Sequence, residues 1–200
     1  MLVTLRQIMQ QVALAPALAD ALAIAVRQAR KAVAVDACAI YLEDPEGDDH
    51  ILVASDGQLQ PGAGPFGGES RKRLVHLVGE RRELIVHSET LIPARHDAAT
   101  DSPEGSVGTF LGTPLIHYRT LLGILTAWKS GHQTYAADEM TFFLSLGAQL
   151  AKVVHEASAI DGVGRLLRGE ARADPYIQGV SAASGLAIGI AVPVAAKTRL

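Results

Sequence analysis

Apolar residues recur every three or four positions in several parts of the chain, which is the spacing of helices with one buried side. This spacing predicts helices over residues 2–14, 18–33 and 138–159. Pro16 separates the first two, because proline suits the first turn of a new helix better than the interior of an old one. A fourth, shorter helix is predicted over 70–79. Ser70 is its expected cap and Gly79 its expected end.

Shorter apolar runs, bounded by turn residues, predict strands. They cover residues 36–43, 50–55, 83–86, 109–117 and 121–129. Two long segments, 56–68 and 87–107, contain no such pattern, and loops of that length often cover a binding site. The order of elements predicts an α+β fold in which an antiparallel sheet of five or six strands has helices on its faces.

Composition narrows the possible partners. The 200 residues are 48% hydrophobic and 20% charged, as expected of a globular protein, and the net charge is −3. Without a basic stripe, nucleic acid is not an expected partner. No apolar run approaches the roughly 18 residues that a membrane-spanning helix needs, and the N-terminus does not resemble a signal peptide. We therefore expect a cytoplasmic protein that does not engage membranes.

Residues that could carry catalysis or hold a metal are sparse. The chain has one cysteine, Cys38, which lies in an apolar run and is expected to be buried. Its seven histidines include no pair at the His-x-x-His or His-x-x-x-His spacing. No arrangement of nucleophile and base is apparent either. The sequence thus predicts no metal site, no cofactor and no catalytic residues.

Three motifs in the second half of the chain resemble those of GAF domains, a widespread family of small-molecule sensors. They are the strand TFLGTPLI from Thr109 to Ile116, the strand LLGIL from Leu121 to Leu125, and the helix start YAADE from Tyr135 to Glu139. Each motif is weak alone, but together they occur in the family's order and spacing. The resemblance implies a GAF fold over residues 1–157.

A second resemblance lies near the end of the chain. Residues 179–194, GVSAASGLAIGIAVPV, are similar to the opening of enzyme I of the bacterial phosphotransferase system, although the proline of its usual Ser-Pro-Gly is missing. The N-terminal residues 1–15 and the sequence YLED at Tyr41 resemble the GAF domain of nitrogen-branch enzyme I. These likenesses imply a linker over 158–175, followed at 176–200 by the truncated start of the N-terminal domain of enzyme I.

The combined resemblance implies a regulatory sensor that controls autophosphorylation of an attached phosphoenolpyruvate–protein phosphotransferase in nitrogen-related signalling. The family's phosphohistidine motif and its active-site barrel are absent from these 200 residues. This segment is therefore not expected to be an enzyme. The alternative function is a ligand-free GAF module that dimerises and relays a signal.

A small metabolite is the expected ligand, with 2-oxoglutarate or glutamine as first candidates. Arginine can hold each carboxylate of such a molecule in a planar fork. Two glycines of the family's helix are replaced here by Arg73 and His76, which could lie at the mouth of a cavity between that helix and the sheet. Polar residues in or beside the long loop are added to these two. The full predicted ligand-binding set is Arg73, His76, His87, Arg95, His96 and Thr109.

A homodimer is also expected. The first helix carries an apolar face that a lone domain would leave in contact with water. The C-terminal helix is apolar on more than one side. Pairing of these helices with their copies in a second chain would bury this surface.

Overall fold

The computed structural model describes residues 1–44, 49–57, 68–90, 107–131, 133–158 and 164. Within these ranges, four helices and five strands follow one another in a mixed order. They are α1 (Leu2–Ala13), α2 (Leu18–Val33), β1 (Ala37–Glu43), β2 (His50–Gly57), α3 (Gly68–Arg81), β3 (Ile85–Thr90), β4 (Val107–His117), β5 (Thr120–Ser130) and α4 (Ala137–Ser158).

The strands form one sheet in the order β2-β1-β5-β4-β3, and every neighbouring pair is antiparallel. The predicted α+β fold is therefore confirmed, with five strands. Strands β1 and β5 are adjacent in the sheet, and each is buried along most of its length. Because both faces of these two strands are covered, their sequences are apolar without a clear alternation.

Helices cover both faces of the sheet. On one face, α2 and α4 pack on the strands, and α1 packs against these two helices. The core here is built from aliphatic and aromatic side chains such as Leu22, Val26, Phe143 and Leu150. The opposite face is covered by α3, whose side chains Leu74, Val75 and Val78 form an apolar layer with Phe110, Ile124 and Trp128 of the sheet. We call this second surface the α3 face.

Helix α3 departs from its predicted bounds at both ends. Ser70 lies inside the helix rather than at its cap. The helix also continues past Gly79 to Arg81, and the left-handed residue that follows is Arg82, with φ of 55°. The Arg82 N–H donates to the Val78 carbonyl at 2.8 Å, which closes the last turn. Gly79 instead allows close approach, because a Cβ there would lie 3.0 Å from His50 Nε2.

Strand β3 begins two residues later than predicted and extends to Thr90. It lies at the edge of the sheet and carries polar, exposed side chains at His87 and Ser88. Because the apolar run ends at Val86, the sequence pattern does not indicate that the strand continues through these polar residues.

The predicted linker over 158–175 and the predicted domain start over 176–200 fall outside the described residues, except for Ser158 and Gly164. In the ranges that are described, no helix combines the length and apolar character needed to cross a membrane.

Candidate functional site

The α3 face contains polar side chains inside a mainly apolar layer. Tyr41 of β1 is 8% exposed and Trp128 of β5 is 5% exposed. The Trp128 indole N–H has no hydrogen-bond partner within the described part of the chain, and the Tyr41 hydroxyl has the Arg71 guanidinium as its neighbour. Buried polar groups are nearly always paired in folded proteins, and an unpaired one costs about 1–3 kcal/mol. The unpaired indole N–H and the buried phenol on one face of the sheet mark that face as the candidate site.

Arg71 brings a positive charge to this face from the second turn of α3. It precedes Leu74, Val75 and Val78 by three, four and seven residues, so it shares their side of the helix. Burial raises the pKa of Tyr41, and the Arg71 guanidinium beside the hydroxyl offsets part of that rise. Arg71 thus places a half-buried cation next to a buried phenol.

Trp128 lies towards the other end of the α3 face. Its ring contacts Phe110 at a centroid distance of 5.7 Å and a tilt of 59°. In the sheet Trp128 is paired with Ala37, whereas Tyr41 is paired with Ile124. Tyr41 therefore lies level with a residue four positions before Trp128 in β5. The indole nitrogen can only donate a hydrogen bond, which suits an acceptor oxygen on a bound molecule.

His50 lies where β2 meets the C-terminal half of α3. Its Nε2 is buried and has no hydrogen-bond partner among the described residues. Burial lowers the pKa of His50, the nearby charge of His76 lowers it further, and Asp49 acts in the opposite direction. The structure therefore favours the neutral imidazole at this position.

The predicted ligand residues are divided among several surfaces. Arg73 and His76 both lie on the exposed side of α3, away from the sheet. Arg73 donates to the Ser70 hydroxyl at 3.3 Å, and His76 Nε2 lies 3.4 Å from Glu80. His87 shares the sheet face of its partner Phe110 but is exposed on the edge strand.

Thr109 is buried on the opposite side of the sheet from Phe110. It lies beside Leu111 in the same alternation, and Leu111 belongs to the core under α2 and α4. Its hydroxyl lies 3.2 Å from that of Ser88. The structure therefore does not bring Thr109 together with the α3 residues. Arg95 and His96 lie outside the described residues.

Four residues of this site were not predicted from the sequence: Arg71, Tyr41, Trp128 and His50. For Arg71 the signal was present, since its spacing from Leu74, Val75 and Val78 is that of one helical face. Tyr41 and Trp128 lie in strands that are apolar on both sides, so no alternation singles them out.

Cys38 shows no reactive character. It is fully buried, and desolvation raises the pKa of its thiol, which disfavours the nucleophilic thiolate. In the part of the chain that the structure covers, no three His, Cys, Asp or Glu side chains are close enough to hold a metal ion.

Residues 17–154 match the GAF domain family. The chain belongs to the GAF domain family. The family predicted from the three motifs is thus confirmed.

Two solved structures are similar in both sequence and fold. The GAF domain from an Acinetobacter phosphoenolpyruvate-protein phosphotransferase is 30% identical with a TM-score of 0.59, and the match covers 80% of this chain and 95% of that one. The GAF domain from a phosphoenolpyruvate-protein phosphotransferase of Coxiella burnetii is 32% identical with the same TM-score, covering 79% and 94%. A free methionine-R-sulfoxide reductase from Neisseria meningitidis, 17% identical, shares the fold alone.

Curated relatives are much longer than this chain. A protein of Salmonella typhimurium described as "Phosphoenolpyruvate-dependent phosphotransferase system" is 29% identical over 185 residues. That match covers 92% of this chain but 25% of the relative, and an Escherichia coli protein gives the same values. The chain therefore spans about a quarter of the length of these relatives.

Proposed function

We propose that this GAF domain is a regulatory sensor that binds a small metabolite on its α3 face. The observation that carries the proposal is the buried Trp128 indole N–H, which has no partner among the described residues and shares its face with the buried Tyr41 hydroxyl and Arg71. A bound molecule could pair with these groups while the surrounding apolar side chains exclude water. Arg71, next to Tyr41, would attract the negative charge of the ligand.

This chemistry fits a carboxylate-bearing metabolite, and 2-oxoglutarate and glutamine are the first candidates. A guanidinium can bind a carboxylate through two parallel hydrogen bonds. The indole N–H adds a donor of fixed direction, and the phenol can donate or accept a hydrogen bond. Arg95 and His96 stay predicted ligand residues, and His87 could reach a ligand from the edge of the same face.

The output of the sensor would be the activity of an attached module. Similarity to GAF domains of phosphoenolpyruvate-protein phosphotransferases supports this idea. We therefore propose that ligand binding controls autophosphorylation of an enzyme I module in the same protein, as part of nitrogen-related signalling. In this proposal the GAF domain itself performs no catalysis.

Fluorescence offers a direct test, because Trp128 is the only tryptophan in the chain and lies on the proposed site. The isolated 200-residue chain is titrated with 2-oxoglutarate, L-glutamine and adenine and guanine nucleotides while Trp128 emission is recorded. We expect a saturable change with at least one carboxylate metabolite. At 100 times its dissociation constant that ligand should stabilise the fold by about 2.7 kcal/mol in a thermal shift measurement. No saturable change with any compound at millimolar concentration would contradict the proposal.

A second candidate function, dimerisation and signal relay without a ligand, is favoured by the outer surface of the helices. Leu2 and Val3 of α1 are 81% and 72% exposed, and Leu144 of α4 is also exposed. Leu2 also lines a groove between α1 and α4, together with Leu5, Met9 and Ala13 and the polar side chains of Arg6, Gln10 and Gln149. Apolar surface of this kind commonly marks an interface. The two functions are compatible, since a dimer can also be a sensor.

A further inference from the structure

Two consecutive residues near the end of β5 point to opposite faces of the sheet. Trp128 belongs to the α3 face, where it packs with Phe110. Lys129 follows it and contacts Glu139 and Tyr135 on the face covered by α4. Side chains alternate along a strand, so a displacement of this short piece of backbone would be felt on both faces.

Lys129 is held by several contacts. It is only 7% exposed, and its Nζ donates to both carboxylate oxygens of Glu139 at 2.8 Å. The Thr134 carbonyl lies 3.4 Å from the same nitrogen. The ammonium also lies 4.7 Å from the centre of the Tyr135 ring, within the range of a cation–π contact. Removing one partner of such a pair is strongly destabilising, because it leaves the other charge buried and unpaired.

Glu139 connects this ion pair to the first turn of α4. Its Oε2 accepts the Ala136 N–H at 2.8 Å, which satisfies one of the backbone donors left free at a helix start. Helix α4 is 22 residues long and packs on β4 and β5. The start of the longest helix is therefore fixed to the end of β5 through one carboxylate.

The backbone of β5 is also fixed at this point, by Asp36. The Asp36 N–H donates to the Trp128 carbonyl at 2.9 Å, and the Asp36 carboxylate accepts the Ser130 N–H. Because both bonds go to Asp36, residues 128–130 are held as one unit and their backbones cannot easily move independently of one another. A movement of Trp128 would carry Lys129 with it.

We infer that the Lys129–Glu139 ion pair couples the α3 face to α4, so that a change at Trp128 alters the start of that helix. The inference rests on the proposed sensor function for the identity of the natural signal. Lys129 and Glu139 are positioning residues in this scheme. A ligand that engages the Trp128 indole would change the stability of the first turns of α4 through them.

The test uses Trp128→Phe as a ligand-free change at the α3 face. It is introduced into the wild type and into a Lys129→Met/Glu139→Gln background. The double change removes both charges together and leaves a side-chain oxygen to accept the Ala136 N–H. The matched control background is Lys152→Met/Glu156→Gln, the same chemistry applied to an exposed ion pair of α4. Hydrogen exchange is measured over residues 139–146, with α2 as the internal reference.

We expect Trp128→Phe to accelerate exchange at the start of α4, relative to α2, in the wild type and in the control background. In the Lys129→Met/Glu139→Gln background this acceleration should be lower by about twofold or more, as for a coupling of about 0.5 kcal/mol. Equal acceleration in all three backgrounds would overturn the inference. If the ion pair were purely structural, its removal would change overall stability, but Trp128→Phe would accelerate exchange at the start of α4 equally in every background.

A second variant covers the case in which the double variant does not fold. Glu139→Asp keeps both charges and shortens the side chain by one methylene, so we expect a reduced but measurable coupling. Coupling equal to that of the wild type in this variant would likewise contradict the inference. Because the Trp128→Phe comparison needs no ligand, failure of every metabolite to bind would count against the proposed function alone.

Discussion

His50 lies on the edge strand β2 with its Nε2 atom buried, and its environment favours the neutral imidazole. Burial lowers its pKa, with the charge of His76 acting in the same direction. The folded state therefore binds protons at His50 less readily than the unfolded chain, whose histidine pKa is about 6.5. The stability contributed by the neutral imidazole is fully present above that pH. It is lost progressively as the pH falls below 6.5 towards the lower folded pKa.

We expect His50→Gln to make the free energy of unfolding less dependent on pH between 7 and 5 than it is in the wild type. Glutamine keeps a polar side chain but does not titrate. The matched control is His87→Gln, at an exposed position of β3, which should follow the wild-type pH profile. Denaturant unfolding at several pH values provides the measurement. Identical pH profiles for His50→Gln and the wild type would show that His50 does not act in this way.

Individual side chains of the site were harder to predict than the elements that hold them. Arg73 and His76 stand out in the sequence because they replace glycines of the family, but that replacement does not tell which side of the helix faces the sheet. The structure places both on the exposed side of α3. Arg71 could have been selected from its spacing to the apolar residues that follow. Tyr41 and Trp128 could not, since whether a buried polar atom is paired depends on neighbours from distant parts of the chain.

At the scale of elements, α3 packs on the sheet through a close contact at Gly112. A Cβ at this position would lie 2.5 Å from Val78 Cγ2 and 2.8 Å from the Phe110 ring. We predict that Gly112→Ala lowers the free energy of unfolding by about 1–3 kcal/mol, the usual cost of overpacking. Adding Val78→Ala should recover part of this loss, because it removes the nearest atom. Strictly additive losses in denaturant unfolding would mean that the two residues do not meet.

The start of α4 lacks the side-chain cap that helices commonly have. Ala136 precedes the helix, and only the Glu139 carboxylate reaches back to its N–H. Serine at this position could accept a backbone N–H of the first turn. Ala136→Ser should therefore raise the free energy of unfolding by about 0.5–1 kcal/mol. Ala137→Ser, one residue inside the helix, is the control and should give no gain. An equal effect of both changes would rule out capping as the cause.

The course of the chain was largely predictable at this scale. Helices α1, α2 and α4 match the predicted bounds within one or two residues, because each buries one continuous apolar face. Strands β1 and β5 were predicted because long apolar runs of their length suit central strands. The end of α3 was placed wrongly at Gly79, since glycine also serves close packing inside a helix. The limits of β3 were missed because an exposed edge strand carries little apolar pattern.

At the scale of the whole molecule, the predicted dimer surface was the apolar face of α1 formed by Leu2, Leu5, Ile8, Met9 and Val12. The structure buries Ile8 and Val12 within the domain itself, which leaves the exposed leucines at the two ends of the helix for a partner. Leu2 and Leu14 are 81% and 84% exposed. If two chains pair through α1 and α4, Leu2→Glu/Leu14→Glu should shift the mass in light scattering from dimer to monomer at micromolar concentration. Tyr118→Glu is the control, because Tyr118 is 84% exposed at the β4–β5 turn. A wild-type chain that is monomeric would contradict the dimer. So would a double variant that remains dimeric.

If the α3 face binds a small carboxylate metabolite with the help of Arg71, loss of that guanidinium should weaken the binding. Calorimetric titration of two matched variants, Arg71→Met and Arg73→Met, tests it most directly. Both remove one guanidinium from α3, but Arg71 lies beside Tyr41 and Arg73 lies on the exposed side. For the metabolite that changes Trp128 emission, we predict at least tenfold weaker binding to Arg71→Met, a loss of about 1.4 kcal/mol. Arg73→Met should bind like the wild type. Unchanged affinity in Arg71→Met, with both variants folded, would contradict the account.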